Sequence, residues 1–520
     1  MAKSLYLVNP RSGIPTHFGA EVFERWDFQP AQASADLTLV TVAALTPSDW
    51  DVTVCDEHLS PVDFDHPADF IGITGKVAQE YRMIELADEF RRRGKTVIIG
   101  GPYASLSPDD VRGHCDVLVL GELEGIAEEF FADLDAGSWK QEYKGDKPDI
   151  ADSPVPRWDL YPNDRALLGA VQTSRGCPFE CEFCDVIQYL GRKQRHKSVE
   201  QVVAELDVLY SYGYRSVLLS DDNLTVYRSR AKELLAGLRD WNRAREEPVA
   251  FGTQLSIDAS GDPEIMRLMA ECGMSWVFIG IETPNLESLK ETKKRQNVGV
   301  DLIREIEVFL EHGIAVVAGM IVGFDHDNHS IFDLQLDFAQ ASPVPIFNLN
   351  ALAAPASTPL HERMERDGRL VDLTESHGSS PWHSNITPAQ MTGAELTEGM
   401  HWLCNQMYSP ANFGRRVLRM IETMGPQRGP LAQAHKAVRE SRPVEREAVM
   451  LLKKFFRKNA AERQMFFEVS DAMAKKPGTE AAVIEMLYRY AQVRYLYEVG
   501  GFWRDDVAAE SPFRGRVAVH

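Results

Sequence analysis

Between residues 166 and 351, short apolar runs alternate with amphipathic stretches, and this repeat restricts the possible folds more than any other feature. The apolar runs predict strands at 166–173, 215–220, 249–257, 275–281, 314–322 and 345–351. Helical periodicity covers 198–211, 228–241, 262–272, 298–311 and 329–341. Gly213, Gly273 and Gly313 each follow a helical stretch, where glycine commonly ends a helix. Six such repeats predict an α/β fold, a parallel sheet curved into a partial (β/α)6 barrel with its helices outside.

Polar residues follow several of these predicted strands. Asp221, Asp222 and Asn223 come after the second strand, Ser256 after the third and Glu282 after the fourth. Ligands of parallel sheets bind at the carboxyl ends of the strands, so these side chains are candidate ligand contacts. Each also has a structural alternative, as the cap of the next helix or as a buried carboxylate.

A second strand–helix pattern occupies residues 1–145. Its strand-like runs include SLYLVNP, DVTVCD, DFIGITGKV, TVIIGGPYASL and DVLVLGELEG, which together predict a doubly wound, Rossmann-like sheet. Thr74 and Gly75 end one strand, and Gly100 and Gly101 end another. No G-x-G-x-x-G follows the first strand, so a dinucleotide site is not expected.

The remaining segments complete a prediction of four parts. Residues 146–165, in a stretch rich in Pro, Asp and Lys, have a linker composition, and residues 166–375 form the barrel. Residues 376–520 are predicted to be a mostly helical C-terminal domain, with helices starting at Thr387–Pro388 and covering 445–470 and 480–500. Its predicted core residues are Trp402, Tyr408, Phe455 and Phe456.

The segment SRGCPFECEFCDV places three of the seven cysteines of this chain within eight residues, at Cys177, Cys181 and Cys184. The spacing C-x3-C-x2-C supplies three thiolates, whereas structural zinc sites need four ligands. Thiolates also hold iron–sulfur clusters, and three of them on four irons would leave one iron open. A closed zinc site that includes His196 is the alternative.

Length, charge and cysteine content limit the partners and the cellular compartment that are expected for this chain. The chain has 520 residues and a net charge of −21, which disfavours nonspecific binding to nucleic acid. The N-terminus lacks a signal-peptide pattern, and no apolar run is long enough to span a membrane. Seven cysteines are too few for a disulfide scaffold, so we expect a cytoplasmic protein whose cysteine cluster serves metal binding or catalysis.

The cysteine segment and the strand before it resemble the C-x3-C-x-aromatic-C motif of the radical S-adenosylmethionine (SAM) superfamily, with Phe183 as the aromatic residue. The resemblance implies a 4Fe–4S cluster on Cys177, Cys181 and Cys184, whose open iron binds SAM. It further implies contacts of Asp221, Asp222 and Asn223 with the SAM amino group and of Glu282 with the ribose. Gly319, Ile321 and Gly323 would lie along the adenine, and Arg295 is a weaker candidate for the SAM carboxylate.

The N-terminal pattern resembles the cobalamin-binding domain that precedes many radical SAM domains. The stretches around Thr74, Gly75, Gly100 and Gly101 match those that line the nucleotide tail of cobalamin, and GELEG, with Gly121 and Glu122, is typical of such proteins. The segment CDEHLSP contains a D-x-H pair like that of histidine-ligated cobalamin domains. It follows the second strand rather than the first, so we predict no protein histidine ligand and a surface or loop position for His58.

The C-terminal third resembles the extension of hopanoid methylases and bacteriochlorophyll side-chain methylases. The resemblance implies a methyltransferase in which one SAM methylates cobalamin and a second yields a radical that activates a carbon of a small, apolar substrate. It also implies an electron donor such as flavodoxin or ferredoxin.

Three alternatives to a methyltransferase remain. A rearrangement or cyclisation with the same cofactors would need no methyl transfer. An RNA methylthiotransferase would carry a second cysteine cluster, but the N-terminal domain has only Cys55 and Cys115. A non-catalytic cobalamin sensor would have no use for the cysteine motif.

Overall fold

The computed structural model describes residues 2–371, 381–436, 441–504 and 506–514. The predicted boundary between barrel and C-terminal domain, at 375/376, lies outside the described residues. Within the described ranges the chain forms two parallel sheets and a set of C-terminal helices.

The first sheet confirms the Rossmann-like prediction for the N-terminal part. The strands of this part are β1 (Ser4–Asn9), β2 (Gln32–Ser34), β3 (Asp51–Asp56), β4 (Phe70–Thr74), β5 (Thr96–Gly100), β6 (Val117–Leu120) and β7 (Glu142–Lys144). All but β2 form one parallel sheet in the order β3-β1-β4-β5-β6-β7. The winding reverses between β1 and β4, which creates the crevice where ligands of such sheets bind.

Helices cover both faces of this sheet, and β1 shows why. Leu5 and Leu7 enter one apolar core, whereas Tyr6 and Val8 enter a second core on the opposite face. The helices are α1 (Val22–Arg25), α2 (Leu37–Leu45), α3 (Glu80–Arg92), α4 (Pro102–Leu106), α5 (Pro108–Arg112) and α6 (Ala127–Ala136).

The second sheet contains all six strands predicted for the partial barrel. These are β8 (Ala166–Val171), β11 (Ser216–Leu219), β12 (Ala250–Leu255), β13 (Met274–Glu282), β14 (Ala315–Val322) and β15 (Ile346–Ala351), while β9 (Ser174–Arg175) and β10 (Arg195–His196) form a short antiparallel pair. The barrel helices are α7 (Val186–Tyr189), α8 (Val199–Ser211), α9 (Arg228–Arg243), α10 (Pro263–Cys272), α11 (Leu286–Glu291), α12 (Leu302–Glu311), α13 (Ile331–Ala341) and α14 (Pro359–Arg366). The strands run parallel in the order β15-β14-β13-β12-β11-β8-β2.

The seventh strand of this sheet, β2, comes from the N-terminal part. Gln32 pairs with Ala166 and Ser34 with Leu168, so the chain crosses to the barrel and returns before it completes the first sheet. The three-residue strand carries no sequence pattern that predicts it. The segment 146–165 also differs from a free linker, because Ile150, Trp158 and Tyr161 are buried. The two sheets are therefore held together at two places.

The C-terminal part confirms the helical prediction with corrected boundaries. Its helices are α15 (Gly393–Tyr408), α16 (Pro410–Thr423), α17 (Pro443–Phe455), α18 (Ala460–Lys475) and α19 (Glu480–Val499). A helix start at Thr387–Pro388 is wrong, because Thr392 and Glu395 form the capping box that begins α15. The predicted helix 445–470 is two helices, because Asn459 caps a new start. The predicted core residues Trp402, Tyr408, Phe455 and Phe456 are buried.

Helix α19 lies at the centre of the molecule. Buried residues follow one another without interruption from Met486 to Arg494. A helix that is buried on all sides must be surrounded by other elements. Here it contacts α1 from the N-terminal part, β15 from the barrel and three C-terminal helices. The C-terminal part thereby reaches the space between the two sheets.

Candidate functional site

The three motif cysteines lie in the loop between β9 and α7, at the carboxyl edge of the barrel sheet. Gly176, just before Cys177, has a φ of +96°, and a Cβ there would lie 2.7 Å from the carbonyl oxygen of Lys193. Only glycine fits this backbone path. The amide of Cys177 donates to the carbonyl of Gly191 at 3.1 Å, which holds the first cysteine in place.

The three thiols are free and close enough to influence one another. The charge of Cys181 acts on both Cys177 and Cys184. Burial raises the pKa of Cys177 and raises that of Cys184 to about 12. Thiols in such surroundings are inert until a metal displaces their protons, so the set suits a bound metal group better than a free nucleophile.

The alternative of a single zinc ion has no structural support. Across the described residues, no group of three or more His, Cys, Asp or Glu side chains could hold a metal ion. His196 lies on β10, and its ring contacts Tyr227. An iron–sulfur cluster has a different requirement, because each thiolate binds a different iron atom. Three free thiols without a fourth ligand fit that arrangement.

A buried ion pair at the end of β13 lies beside the cysteines. The Nζ of Lys294 is 2.7 Å from Oε1 of Glu282, whose φ of +65° is unusual for a residue with a side chain. Burial alone would lower the pKa of Lys294, but Glu282, Cys181 and Cys184 raise it. A permanent cation therefore faces the thiols.

Sequence reasoning missed Lys294 and singled out its neighbour. Arg295, the weaker candidate for the SAM carboxylate, is exposed, which agrees with the preferred interpretation of this stretch as a solvated charge run, whereas the side chain of Lys294 is only 13% exposed. Both lie in the charged run KETKKRQN, which gives no signal of which side chain turns inward. Only the path of the loop after α11 separates the two.

The predicted polar residues after β11 and β12 come together. Asp221 accepts from the backbone amides of Thr173 and Ser174 at 2.6 and 2.9 Å, and also from the Thr173 hydroxyl. The amide group of Asn223 donates to the Ser256 hydroxyl at 2.6 Å. Asp221 thus holds the segment that leads into the cysteine loop, whereas Asn223 and Ser256 join the ends of β11 and β12. Their predicted contacts with SAM stay predictions.

Asp222 differs from its neighbours because it faces a cavity. Its carboxylate accepts from the amide of Gly176 at 2.7 Å, one residue before Cys177. Burial raises its pKa to about 6. Asp222 is the member of this group that both orients the cysteine loop and remains accessible to a ligand.

The predicted adenine strand, β14, approaches the cysteine loop through apolar contacts. A Cβ at Gly319 would lie 3.0 Å from the ring of Phe278, so a larger residue would press on that ring. Ile321 and the motif aromatic Phe183 pack against the same apolar cluster. Gly323 has a φ of +113°, which requires glycine.

A cavity of about 920 Å³ lies between the two sheets. Residues from every part of the chain line it: Thr74, Gly100, Gly101, Gly121 and Glu122 from the first sheet, Gln172, Arg175, Asp222, Gln254 and Trp276 from the barrel, and Glu485, Tyr488, Arg489 and Gln492 from α19. Asp185, Val186 and Tyr189, which follow the third cysteine, also line it. The cysteine loop and the carboxyl edge of the first sheet therefore border one space.

The wall formed by the first sheet is built of backbone and small residues. Gly101 has a φ of +93°, and a Cβ there would overlap the hydroxyl of Thr74. Gly121, with a φ of +75°, is equally close to the carbonyl of Gly145. Gly75 lies behind the wall, where its carbonyl accepts from the amide of Tyr103 at 3.1 Å.

An apolar slot continues from this wall into the first sheet. Its lining residues are Leu5, Leu7, Gly72, Ile98 and Val119 from the strands and Leu39, Val42, Leu45, Phe130 and Phe131 from α2 and α6. A glycine-lined wall above an apolar slot fits a large, flat ring system with an aromatic appendage, as cobalamin has. The residues present are thus compatible with that cofactor.

Glu122 joins the two sheets instead of standing free. Its carboxylate lies 2.7 Å from Arg175 and 2.5 Å from Arg195, and Arg175 also pairs with Glu124 at 2.6 Å. All four side chains are nearly buried. Arg175 precedes Gly176, so this network attaches the cysteine loop to the first sheet. The predicted contact of Glu122 with cobalamin stays a prediction.

His58 lies in the turn after β3, which agrees with the predicted loop position, but it is not a surface residue. Its side chain is only 11% exposed and lines the cavity. The Nδ1 atom lies 3.2 Å from Asp56, and Nε2 accepts from the amide of Ser12 at 3.2 Å. The ring turns inward because β3 lies beside β1, next to the loop of Ser12. Both ring nitrogens are occupied, and the prediction of no histidine ligand is untested.

Comparison with known proteins agrees with this geometry. Residues 171–338 match the radical SAM superfamily, and residues 358–498 match a domain of unknown function, DUF4070. The chain is 36% identical over 397 residues to an uncharacterized methyltransferase of Synechocystis sp., covering 75% of this chain and 73% of the relative. It is 32% identical over 352 residues to the hopanoid C-2 methylase of Rhodopseudomonas palustris, covering 66% of each protein.

Solved structures share the fold. The cobalamin-dependent SAM radical enzyme OxsB, with aqua-cobalamin and SAM bound, superposes with a TM-score of 0.58 at 16% identity. That match covers 98% of this chain and 82% of OxsB. The methyltransferase TsrM from Kitasatospora setae, with cobalamin and a [4Fe-4S] cluster bound, gives a TM-score of 0.56 at 16% identity, covering 91% of this chain and all of TsrM. In the described part of this chain, no helix has the length and apolar character that crossing a bilayer requires.

Proposed function

This chain belongs to the radical SAM superfamily, in one family with the Synechocystis methyltransferase, and from that premise we propose that it is a cobalamin-dependent methyltransferase acting on a carbon of a small, largely apolar substrate. The observation that carries the proposal is one cavity that is lined both by Asp185 of the cysteine loop and by the glycine-rich wall of the first sheet. Two reactive groups must face one substrate for such a reaction, and one shared space provides this.

Three cysteines would hold the cluster, and the wall and slot of the first sheet would hold cobalamin. When bound, the cluster supplies the electron that cleaves SAM, and cobalamin supplies the methyl group. SAM would bind beside Lys294, whose cation is available to a carboxylate, while Glu282 holds that cation in position at 2.7 Å.

The residues of this chain position these groups and exclude water. The network of Glu122, Arg175 and Arg195 fixes the cysteine loop against the first sheet. Aromatic and aliphatic side chains cover most of the cavity, including Tyr189, Trp276 and Phe278. A dry cavity protects a reactive carbon radical from side reactions.

The reaction also needs an electron source. We propose a small donor protein such as flavodoxin or ferredoxin, acting in the reducing cytoplasm. All seven cysteines are free thiols, which supports a reducing compartment.

The test is product analysis with the anoxic, cofactor-loaded enzyme, a chemical reductant and methyl-labelled SAM. Hopanoid and bacteriochlorophyllide d are the first substrates to try, because relatives act on them. We expect 5′-deoxyadenosine and S-adenosylhomocysteine in equal amounts, with label in the product. Turnover that yields 5′-deoxyadenosine without S-adenosylhomocysteine would replace methyl transfer by rearrangement or cyclisation.

A further inference from the structure

One part of the cavity is lined by residues that are not among the predicted cofactor contacts. They are residues 16–19 and 21 of the N-terminal part, Gln254, Trp276 and Phe278 of the barrel, and Glu485, Tyr488, Arg489 and Gln492 of α19. We call this part the α19 pocket. Three distant regions of the chain meet here, so the pocket exists only in the folded protein.

Aromatic side chains form the apolar part of the wall of the α19 pocket. The indole of Trp276 packs on Gly252, where a Cβ would overlap the ring. The guanidinium of Arg489 lies 4.3 Å from the same indole. The ring of Phe18 meets that of Phe278 edge to face, with 5.5 Å between centroids. Such a wall favours a large apolar molecule.

Most polar groups of the pocket already have partners within the protein. Arg489 donates to Glu485 at 2.8 Å, which balances their charges. Gln492 donates to Glu21 at 2.6 Å and to the carbonyl of Thr16 at 2.8 Å. Burial raises the pKa of Glu21, which favours its uncharged form. These groups shape the pocket but leave no free charge for an ionic ligand.

His17 is the exception. Its Nε2 is buried and has no hydrogen-bond partner among the described residues, although the side chain lines the cavity. Burial lowers the pKa of this imidazole to about 4, so the ring is neutral at physiological pH. A buried polar atom without a partner is unfavourable, and in a residue that lines a cavity it points to a ligand group that completes the bond.

We propose that the α19 pocket binds the substrate, and that this substrate is an uncharged, largely apolar molecule whose hydroxyl or carbonyl group hydrogen-bonds to Nε2 of His17. To call the bound molecule a substrate rests on the proposed methyl transfer, but the existence of the binding site does not depend on that reaction. A phosphate or carboxylate is disfavoured, because the pocket carries two acidic side chains, Glu21 and Glu485, against the one guanidinium of Arg489.

Binding of two probes with the same apolar body tests the inference. Cholestanol and cholestane, which differ by one hydroxyl group, are delivered from cyclodextrin to the anoxic, cofactor-loaded protein and to its His17→Phe variant. The variant is expected to bind cholestanol about tenfold more weakly and cholestane unchanged, because only the hydrogen bond is removed. The partition into cyclodextrin is the same for both proteins and cancels.

Three further measurements complete the design. His17→Gln keeps a hydrogen-bonding group and is expected to retain the preference for cholestanol. His114→Phe changes a surface histidine that pairs with Asp88 and is expected to bind both probes as the parent does. Trp276→Leu is expected to weaken the binding of both probes by a similar factor, because it removes only apolar contact area from the pocket wall.

The outcomes separate the inference from the proposed function. Equal effects of His17→Phe on the two probes, or no effect on either, would overturn the inference. If the His17→Phe variant does not fold, two other results would overturn the inference. One is that the parent protein binds neither probe, and the other is that the Trp276→Leu variant binds both probes as tightly as the parent does. If His17→Phe weakens only cholestanol binding but the enzyme transfers no methyl group, the binding site is supported and the proposed function is wrong. If the enzyme transfers a methyl group but His17→Phe does not distinguish the two probes, the proposed function is supported and the inference is wrong.

Discussion

The two sheets meet at one cavity but contribute to it in different ways. The first sheet offers glycines and backbone, with Gly101 and Gly121 at positive φ and no room for a Cβ. The barrel offers charged side chains: Asp222 and Arg175 line the cavity, and the barrel also carries the three thiols and the pair of Glu282 with Lys294. A large cofactor is held by shape, whereas a small reactive group is held by specific donors. Substitutions in the barrel should therefore affect the binding of iron and SAM, whereas substitutions in the first sheet should affect the binding of cobalamin.

The largest effect is expected at the cysteine loop. Cys177→Ala, Cys181→Ala or Cys184→Ala should abolish iron binding and formation of 5′-deoxyadenosine, because the cluster has no spare protein ligand. Cobalamin content should stay near that of the parent, since the first sheet is unchanged. Iron and cobalt counts with chromatographic product analysis measure both. A variant that still forms 5′-deoxyadenosine would contradict the assignment.

The ion pair on the barrel side comes next. Lys294→Met leaves Glu282 buried without its partner, which costs about 3–5 kcal/mol of stability. It should also weaken SAM binding at least tenfold while cobalamin content is kept. Lys293→Met is the matched control, because that neighbouring lysine is exposed. Equal SAM affinities of the two variants, measured by equilibrium dialysis, would remove Lys294 from the SAM site.

On the other side of the cavity, Gly101→Ala should lower cobalamin occupancy about tenfold. The added Cβ strains a backbone conformation that is almost exclusive to glycine, at about 1–3 kcal/mol, and displaces Thr74 from the wall. Gly94→Ala is the control, since Gly94 has a φ of +78° with nothing within 4 Å of a Cβ. The cobalamin absorbance of the purified proteins gives the occupancy, and iron content should be unaffected. If the Gly101→Ala variant also loses iron, the cobalamin site of the first sheet and the cluster site of the barrel are not independent of each other.

The last prediction concerns His17, which belongs to neither side and is expected to change stability only below about pH 6.5. Its pKa falls from 6.5 to about 4 on folding, so the unfolded chain binds the proton more readily between these values. The contribution of neutral His17 to the free energy of unfolding is therefore fully present above about pH 6.5. It decreases as the pH falls, by about 2 kcal/mol at pH 5. His17→Phe should lose this part of the pH dependence. Thermal unfolding of both proteins at pH 7 and pH 5 measures it, and parallel decreases would show that His17 is not buried neutral.

The sequence predicted the barrel strands closely because each one is an apolar run bounded by glycine or polar residues. The edge strand β2, with three residues and no pattern, could not be predicted. The start of α15 was misplaced because Thr387–Pro388 offers a cap signal as good as Thr392 does. The buried positions of Lys294 and His58 were missed because charged and polar side chains in loops carry no periodicity that reports burial.

The sequence alone determined the cysteine motif, the two strand–helix patterns and the helical C-terminal third, because these depend on local spacing and periodicity. Only the tertiary structure decided which polar side chains face one another. It placed Arg175 on Glu122, Lys294 beside the cysteines and His17 on the wall next to α19. These contacts join residues tens to hundreds of positions apart. Local patterns carry no information about such pairs, because a contact depends on the path of every segment between its members.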